Sequence, residues 1–195
     1  MKPHIKYACM KRYCFVVLIG LSLVATKAAA QSASPLSATE VIHAACATAK
    51  TAHKKVFLVV HASWCGWCRR LDSLMGSPSC KDLFDRNYVI AHLVILENGS
   101  KKSLDNPGAM DLYTKYAGGD NQGIPFFLII DGDGTVLADS RIKPEGAAPG
   151  SSGANTGYPN AKEEVAYFVR ILKETSALSS AQLDIISREF SMPAS

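Results

Sequence analysis

An α/β domain, with a central mixed sheet flanked by helices, is predicted by three features of this sequence. The runs Val56–His61 and Phe126–Ile130 are short and almost uniformly apolar, the mark of strands buried on both faces. Segments with apolar residues at helical spacing stand between and around them. A pair of cysteines two residues apart, Cys65 and Cys68, follows directly on the first run, where a strand gives way to a helix.

The chain has 195 residues, and its first thirty read as a secretory leader. Lys2, Lys6, Lys11 and Arg12 supply a basic start, Phe15 to Ala25 an apolar stretch, and Ala28-Ala29-Ala30 a small-residue cleavage site. An apolar run that short falls well below the roughly 20 residues of a spanning helix, so no stable membrane insertion is expected after cleavage. The expected mature chain starts at Gln31, has a polar lead-in over 31–37 and forms one domain over 38–195. The formal net charge of +4 belongs to the leader, which holds five of the 21 Lys+Arg and none of the 17 Asp+Glu. The remainder is close to neutral, which removes the compositional case for nucleic-acid binding. Cys9 and Cys14 leave with the leader, and Cys46, Cys65, Cys68 and Cys80 remain in a periplasmic or secreted, oxidising setting.

Taken in order, Ala38, Val41, Ile42, Ala45 and Ala49 mark a first helix capped by Ser37 or Thr39. After the strand to His61, the dithiol opens a helix that turns Leu71, Leu74 and Met75 inward and breaks at Gly76. A restart is expected with Ser77 as cap and Pro78 at the first helical position, burying Cys80, Leu83 and Phe84. Tyr88 to Leu96 reads as a strand, Glu97 to Pro107 as a polar loop, and Ala109 to about Tyr116 as a short helix. Gly118 to Gly123 is a loop. Phe126 to Ile130 and Thr135 to Ser140 form a hairpin across Asp131-Gly132-Asp133-Gly134, a turn that lacks the ligand spread of an EF-hand. Pro144 to Asn160 holds four Gly, three Pro and two Ser and is expected to be a mobile loop on the dithiol side, with Tyr158 as an apolar contact for a bound chain. Val165, Phe168, Val169 and Leu172 mark a further helix, and a last amphipathic helix runs over about 180–190.

A C-x-x-C pair at a strand-to-helix turn places the first sulfur at a helix N-terminus, where unpaired N–H groups and the dipole favour the thiolate. The second sulfur lies one turn on, within reach of a mixed disulfide formed by the first. Competing readings of the pair, a structural disulfide, half of a zinc site or a haem attachment, fit less well. Zinc would need a second cluster of ligands, and haem attachment would need His where Arg69 stands. Cys65 and Cys68 are therefore the catalytic candidates. No metal and no cofactor is expected. Arg69 and Arg70 add positive charge nearby, and His61, four residues before Cys65, is either a packing residue or a modulator of the thiol. Cys46 and Cys80 both fall on apolar helix faces, as buried free thiols or as a second disulfide.

The element order, together with Trp64-Cys65-Gly66-Trp67-Cys68 and Gly123-Ile124-Pro125-Phe126, resembles the thioredoxin-like family over about 38–175. The resemblance implies an exported thiol:disulfide oxidoreductase acting on protein thiols and disulfides, together with a separate redox partner. It also implies a cis Pro125 facing the dithiol, with Ile124 presenting peptide groups to substrate. Gly66 would border the same groove, and Trp64 and Trp67 are either its apolar rim or core packing. Two departures bear on the redox potential. Val59 stands where thioredoxins proper carry a buried acid, and Gly66-Trp67 replaces Gly-Pro between the cysteines. The alternative from another class is a binding module that recognises a partner through the 144–160 loop.

Overall fold

The computed structural model describes residues 34–192; the expected leader over 1–30 lies outside them. Helix α1 (Ala38–Ala52) starts on a capping box, in which Ser37 Oγ accepts from the Glu40 N–H at 3.3 Å and Glu40 accepts from the Ser37 N–H at 2.8 Å. Strand β1 (Lys55–His61) leads through a tight turn into α2 (Gly66–Met75), which Gly76 ends. Helix α3 spans Lys81–Asn87, and β2 spans Tyr88–Val94. Helix α4 (Ala109–Ala117), β3 (Phe126–Ile130) and β4 (Val136–Asp139) follow. The remaining elements are β5 (Arg141–Ile142), β6 (Ala154–Asn155), α5 (Lys162–Thr175) and α6 (Ser180–Ser191).

The main sheet has the order β2-β1-β3-β4, with β1 and β2 parallel and the other pairs antiparallel. Alternation along β1 and β3 divides the core into two halves, because successive side chains of a strand point to opposite faces. Phe57, Val59, Phe127 and Ile129 pack with Leu71, Phe84, Phe168 and Phe190, from α2, α3, α5 and α6. Val56, Leu58, Val60, Phe126 and Leu128 pack on the other face with Ala45 and Ala49 of α1 and Tyr113 of α4. Phe57 anchors the first half. Its ring centroid lies 5.0 Å from Phe127 and 6.0 Å from Phe84, the latter edge-on.

The structure corrects four sequence expectations. Ser77-Pro78 does not start α3. The Ser77 carbonyl instead accepts from the N–H groups of Cys80 (3.1 Å) and Lys81 (2.8 Å), so this stretch is a turn and the helix begins one turn later. Strand β2 stops at Val94, where the Asn106 side chain takes the Val94 N–H at 2.6 Å. The polar loop beyond it contains a 3-10 helix, Gly99–Leu104.

The fourth correction concerns the Gly/Pro-rich segment. It folds back as a two-stranded β5-β6 ladder and is tied down by polar bonds rather than left loose. Asp139, fully buried, pairs with Lys143 and also accepts from the Gly150 N–H at 2.6 Å. Arg141 Nε donates to the Gly153 carbonyl at 2.8 Å. A Cβ on Gly153 would lie 2.2 Å from the Ile142 carbonyl oxygen, so only glycine lets the two strands approach this closely. Tyr158 is 6% exposed and belongs to the core, not to a free loop tip.

Candidate active site

Strand β1 ends at His61, and the chain turns over Ala62–Cys65, with the Cys65 N–H donating to the Ala62 carbonyl at 3.1 Å. Cys65 is the N-cap of α2, and its Sγ accepts from the Cys68 N–H at 3.1 Å. Sulfur occupies the place where a capping oxygen would otherwise satisfy an orphan helix donor, and negative charge is favoured there. Cys65 and Cys68 are joined as a disulfide, with Cys65 at 4% exposure and Cys68 at 0%. The outer sulfur is the one the sequence names as nucleophile.

Across from the dithiol, the Ile124–Pro125 peptide bond is cis, and the Ile124 carbonyl oxygen lies 3.7 Å from Cys65 Sγ. Ile124 packs on Ala62, Cys65 and Cys68. Two side chains that sequence reasoning did not single out hold this loop. Tyr113 Oη accepts from the Gln122 N–H at 2.9 Å and donates to the Gly123 carbonyl at 3.1 Å. Asn155 Nδ2 lies against the carbonyls of Gly123 (3.0 Å) and Pro125 (3.1 Å), while its Oδ1 accepts from Ser140 Oγ at 2.7 Å. The segment after β4 thus comes back to the dithiol side, as strand directions predict.

Trp64 and Trp67 are each 51% exposed and flank Cys65. Trp64 Nε1 donates to the Leu96 carbonyl at 2.8 Å, and Trp67 stacks on Tyr158 with centroids 5.6 Å apart. Gly66 sits between cysteine and tryptophan at the first helical position. A Cβ there would meet only Arg69 Nη2, at 3.9 Å, so no close approach enforces glycine.

Glu97 is the residue the sequence hid. It is 3% exposed, accepts from the Ser63 N–H, and accepts from Ser63 Oγ at 2.8 Å, thereby gripping the turn two residues before Cys65. Arg69 Nη1 donates to the Ser63 carbonyl at 2.8 Å and grips the same turn from α2. Leu96 adopts a left-handed conformation (φ 58°), sparsely populated for a branched side chain. That backbone turn delivers the Leu96 carbonyl to Trp64 and the Glu97 carboxylate to Ser63.

Behind the turn, the His61 ring lies 4.9 Å from that of His92, whose Nε2 lies 2.9 Å from Asp72 Oδ1. Burial, and secondarily the neighbouring His92, push the His61 pKa below its ordinary 6.5. Val59 is fully buried, so β1 offers no carboxylate where thioredoxins proper have one. Cys46 and Cys80 are free and sit in opposite halves of the core, and burial pushes both thiols up. Among the described residues no three potential metal ligands come together, and no helix is long and apolar enough to cross a membrane.

Residues 38–132 match the family model described as thioredoxin-like. Among solved structures, a disulphide isomerase from Xylella fastidiosa Temecula1 is similar at 24% identity with a TM-score of 0.42, over 52% of this chain and 72% of that one. A DsbH oxidoreductase is similar at 18% identity with a TM-score of 0.37, over 71% of this chain and 81% of that one. No curated protein matches the sequence. Over residues 38–132, just under half of the chain, the sheet order and the dithiol turn agree with that thioredoxin-like match.

Proposed function

We propose that the chain is an exported thiol:disulfide oxidoreductase that exchanges disulfides with protein substrates through Cys65 and Cys68. In the reduced protein, the Cys65 thiolate attacks one sulfur of a substrate disulfide. A Cys65–substrate disulfide forms, and the other substrate sulfur leaves as a thiolate and takes up a proton. Cys68 then loses its proton and attacks Cys65 Sγ. The Cys65–Cys68 disulfide closes, and the second substrate sulfur departs as a thiolate. Two electrons pass from the protein to the substrate, and the reverse sequence oxidises a substrate dithiol.

The observation that carries this reading is the placement of Cys65 Sγ. It caps α2, is bonded to Cys68 and lies 3.7 Å from the Ile124 carbonyl, between the half-exposed Trp64 and Trp67 in sequence. An extended substrate chain laid over Ile124 and Pro125 would bring its sulfur to Cys65, and the two indoles supply apolar contact area. The binding-module alternative has less support, because the 144–160 segment spends Tyr158 and Asn155 on its own core and on the Pro125 loop.

Reduction of insulin by the purified protein, supplied with dithiothreitol, is the direct test. Turnover should fall to the uncatalysed background in Cys65→Ser; equal rates in wild type and variant would remove the proposal. Export is checked separately by N-terminal sequencing of protein recovered from the cell envelope, with Gln31 as the expected first residue.

A further inference from the structure

A cavity of about 250 Å³ lies along α2 and is lined by residues including Arg70, Ser73, Ser77, Tyr158, Glu189 and Met192. Three polar atoms of these lining residues are closed to solvent and lack a hydrogen-bond partner: Arg70 Nε, Tyr158 Oη and Ser77 Oγ. The Ser77 hydroxyl faces the Cys80 thiol, and a thiol is a weak partner. A buried donor left unmade costs the full desolvation of that group, so three around one cavity point to something that binds there.

The chemistry of the wall selects the class. Arg70 Nε–H is a donor only, and the Tyr158 and Ser77 hydroxyls are free to donate, so the missing partner is an acceptor. The guanidinium is held in place, its carbon 5.3 Å from the centroid of the Tyr158 ring, and that ring is stacked in turn on Trp67 (5.6 Å) and Phe190 (5.8 Å). A fixed, planar donor set of this kind suits a carboxylate. Glu189, on the same wall, makes no ion pair with Arg70 among the described residues. Its charge opposes a dianion, which leaves a single carboxylate as the best fit.

We propose that this cavity is a carboxylate-binding subsite adjoining the dithiol groove. The carboxylate comes either from a free small acid or from an acidic side chain of the bound substrate, and the second source rests on the exchange reading above. Arg70 lies five residues beyond Cys65, about 7.5 Å of helix rise. An extended chain covers that axial rise in two to three residues, and needs at least three once the roughly 140° turn of α2 between Cys65 and Arg70 is added. An Asp or Glu at that separation from the substrate cysteine would reach the cavity past Trp67.

The test follows the Arg70 Nε–H resonance of the purified oxidised protein during titration with sodium acetate, against sodium chloride at equal ionic strength. Acetate should shift it saturably, with half-saturation at roughly 1–10 mM. The shift should vanish in Tyr158→Phe combined with Ser77→Ala, and Glu189→Gln should tighten binding severalfold. A second arm compares disulfide peptides that differ only in Asp against Asn three residues from the cysteine. A rate about tenfold higher for Asp, falling to parity in Arg70→Gln, assigns the site to substrate. Acetate binding with no peptide preference assigns it to a free acid. A peptide preference that survives Arg70→Gln overturns the proposal. So does a non-saturating acetate response, whether waters fill the cavity or Arg70 pairs with Glu189 in solution. The titration needs no turnover, so a redox-inactive protein that still binds acetate would sink the exchange reading and leave the subsite standing.

Discussion

Replacing Glu97 with Ala removes the grip on the Ser63 turn, and its cost can be worked from the structure. The carboxylate accepts two bonds from Ser63, one from the backbone N–H and one from Oγ, in a place that is 3% exposed. Hydrogen bonds to a charged group contribute about 1.5–3 kcal/mol each, so the pair is worth at most about 3–6 kcal/mol. Two effects reduce that figure. Ser63 is exposed, so water can serve its freed groups, and removing Glu97 also removes the cost of burying its charge. A loss of about 2–3 kcal/mol remains, equivalent to about 5–10 °C in Tm for a domain of this size. Glu97→Gln keeps the shape and one acceptor and should lose only about 1 kcal/mol. Urea unfolding of the oxidised protein measures both, and insulin reduction should fall severalfold in Glu97→Ala, because the turn that aims Cys65 is loosened. If Glu97→Ala costs under about 0.5 kcal/mol, or less than Glu97→Gln, the carboxylate does not hold the turn.

Three further outcomes are expected. Cys68→Ser should accumulate substrate as mixed disulfides on a non-reducing gel while Cys65→Ser does not, since only the first keeps the attacking sulfur and lacks the resolving one; equal trapping would reverse the roles. Burial holds the His61 pKa below 6.5, so the unfolded chain takes up this proton before the folded one does as pH falls. The His61 contribution is therefore complete above about pH 6.5 and is lost below it, and His61→Gln should flatten the stability profile between about pH 7.5 and 5.5; an unchanged slope would place the titration elsewhere. Lys143→Met should destabilise the protein by about 3–5 kcal/mol in chemical unfolding, because it strands the buried Asp139 charge, and a loss under about 1 kcal/mol would mean that the backbone N–H groups suffice for that carboxylate.

The sheet and helices were legible because their signals are periodic and local. Phe57 and Val59 against Val56, Leu58 and Val60 state the two-sided burial of β1 in five letters, and Ser37 with Glu40 writes a capping box. The dithiol was legible for the same reason: its chemistry needs two sulfurs one helical turn apart. Glu97 and Asn155 carry no such mark. Glu97 lies in a loop and Asn155 in the two-residue β6, and each acquires its role only when the fold brings Ser63, or the carbonyls of Gly123 and Pro125, within hydrogen-bond distance. Ser77-Pro78 was misleading for the opposite reason. The local pattern fits a helix start, but two amide donors converge on the Ser77 carbonyl and make a turn instead.

The family match ends at residue 132, and much of what individualises this site comes after it. Cys65, Cys68 and the Pro125 loop belong to the matched segment and carry the proposed exchange chemistry. Asn155, which secures the Pro125 loop, and Tyr158, which supports Trp67 and Arg70, arrive with the β5-β6 ladder. Phe190 of α6 stacks on Tyr158 at 5.8 Å and packs on Phe168 at 4.8 Å, so the last helix braces that wall from behind. The ladder itself closes only because Gly153 admits the Ile142 carbonyl and because Asp139 and Lys143 satisfy one another in the interior. The proposed exchange chemistry and the groove residues Trp64, Gly66, Trp67, Ile124 and Pro125 lie in the matched segment, and side chains that brace them lie beyond it. Changes in the 141–160 segment and α6 should alter which substrates are accepted, while the order of sulfur attack stays with Cys65 and Cys68.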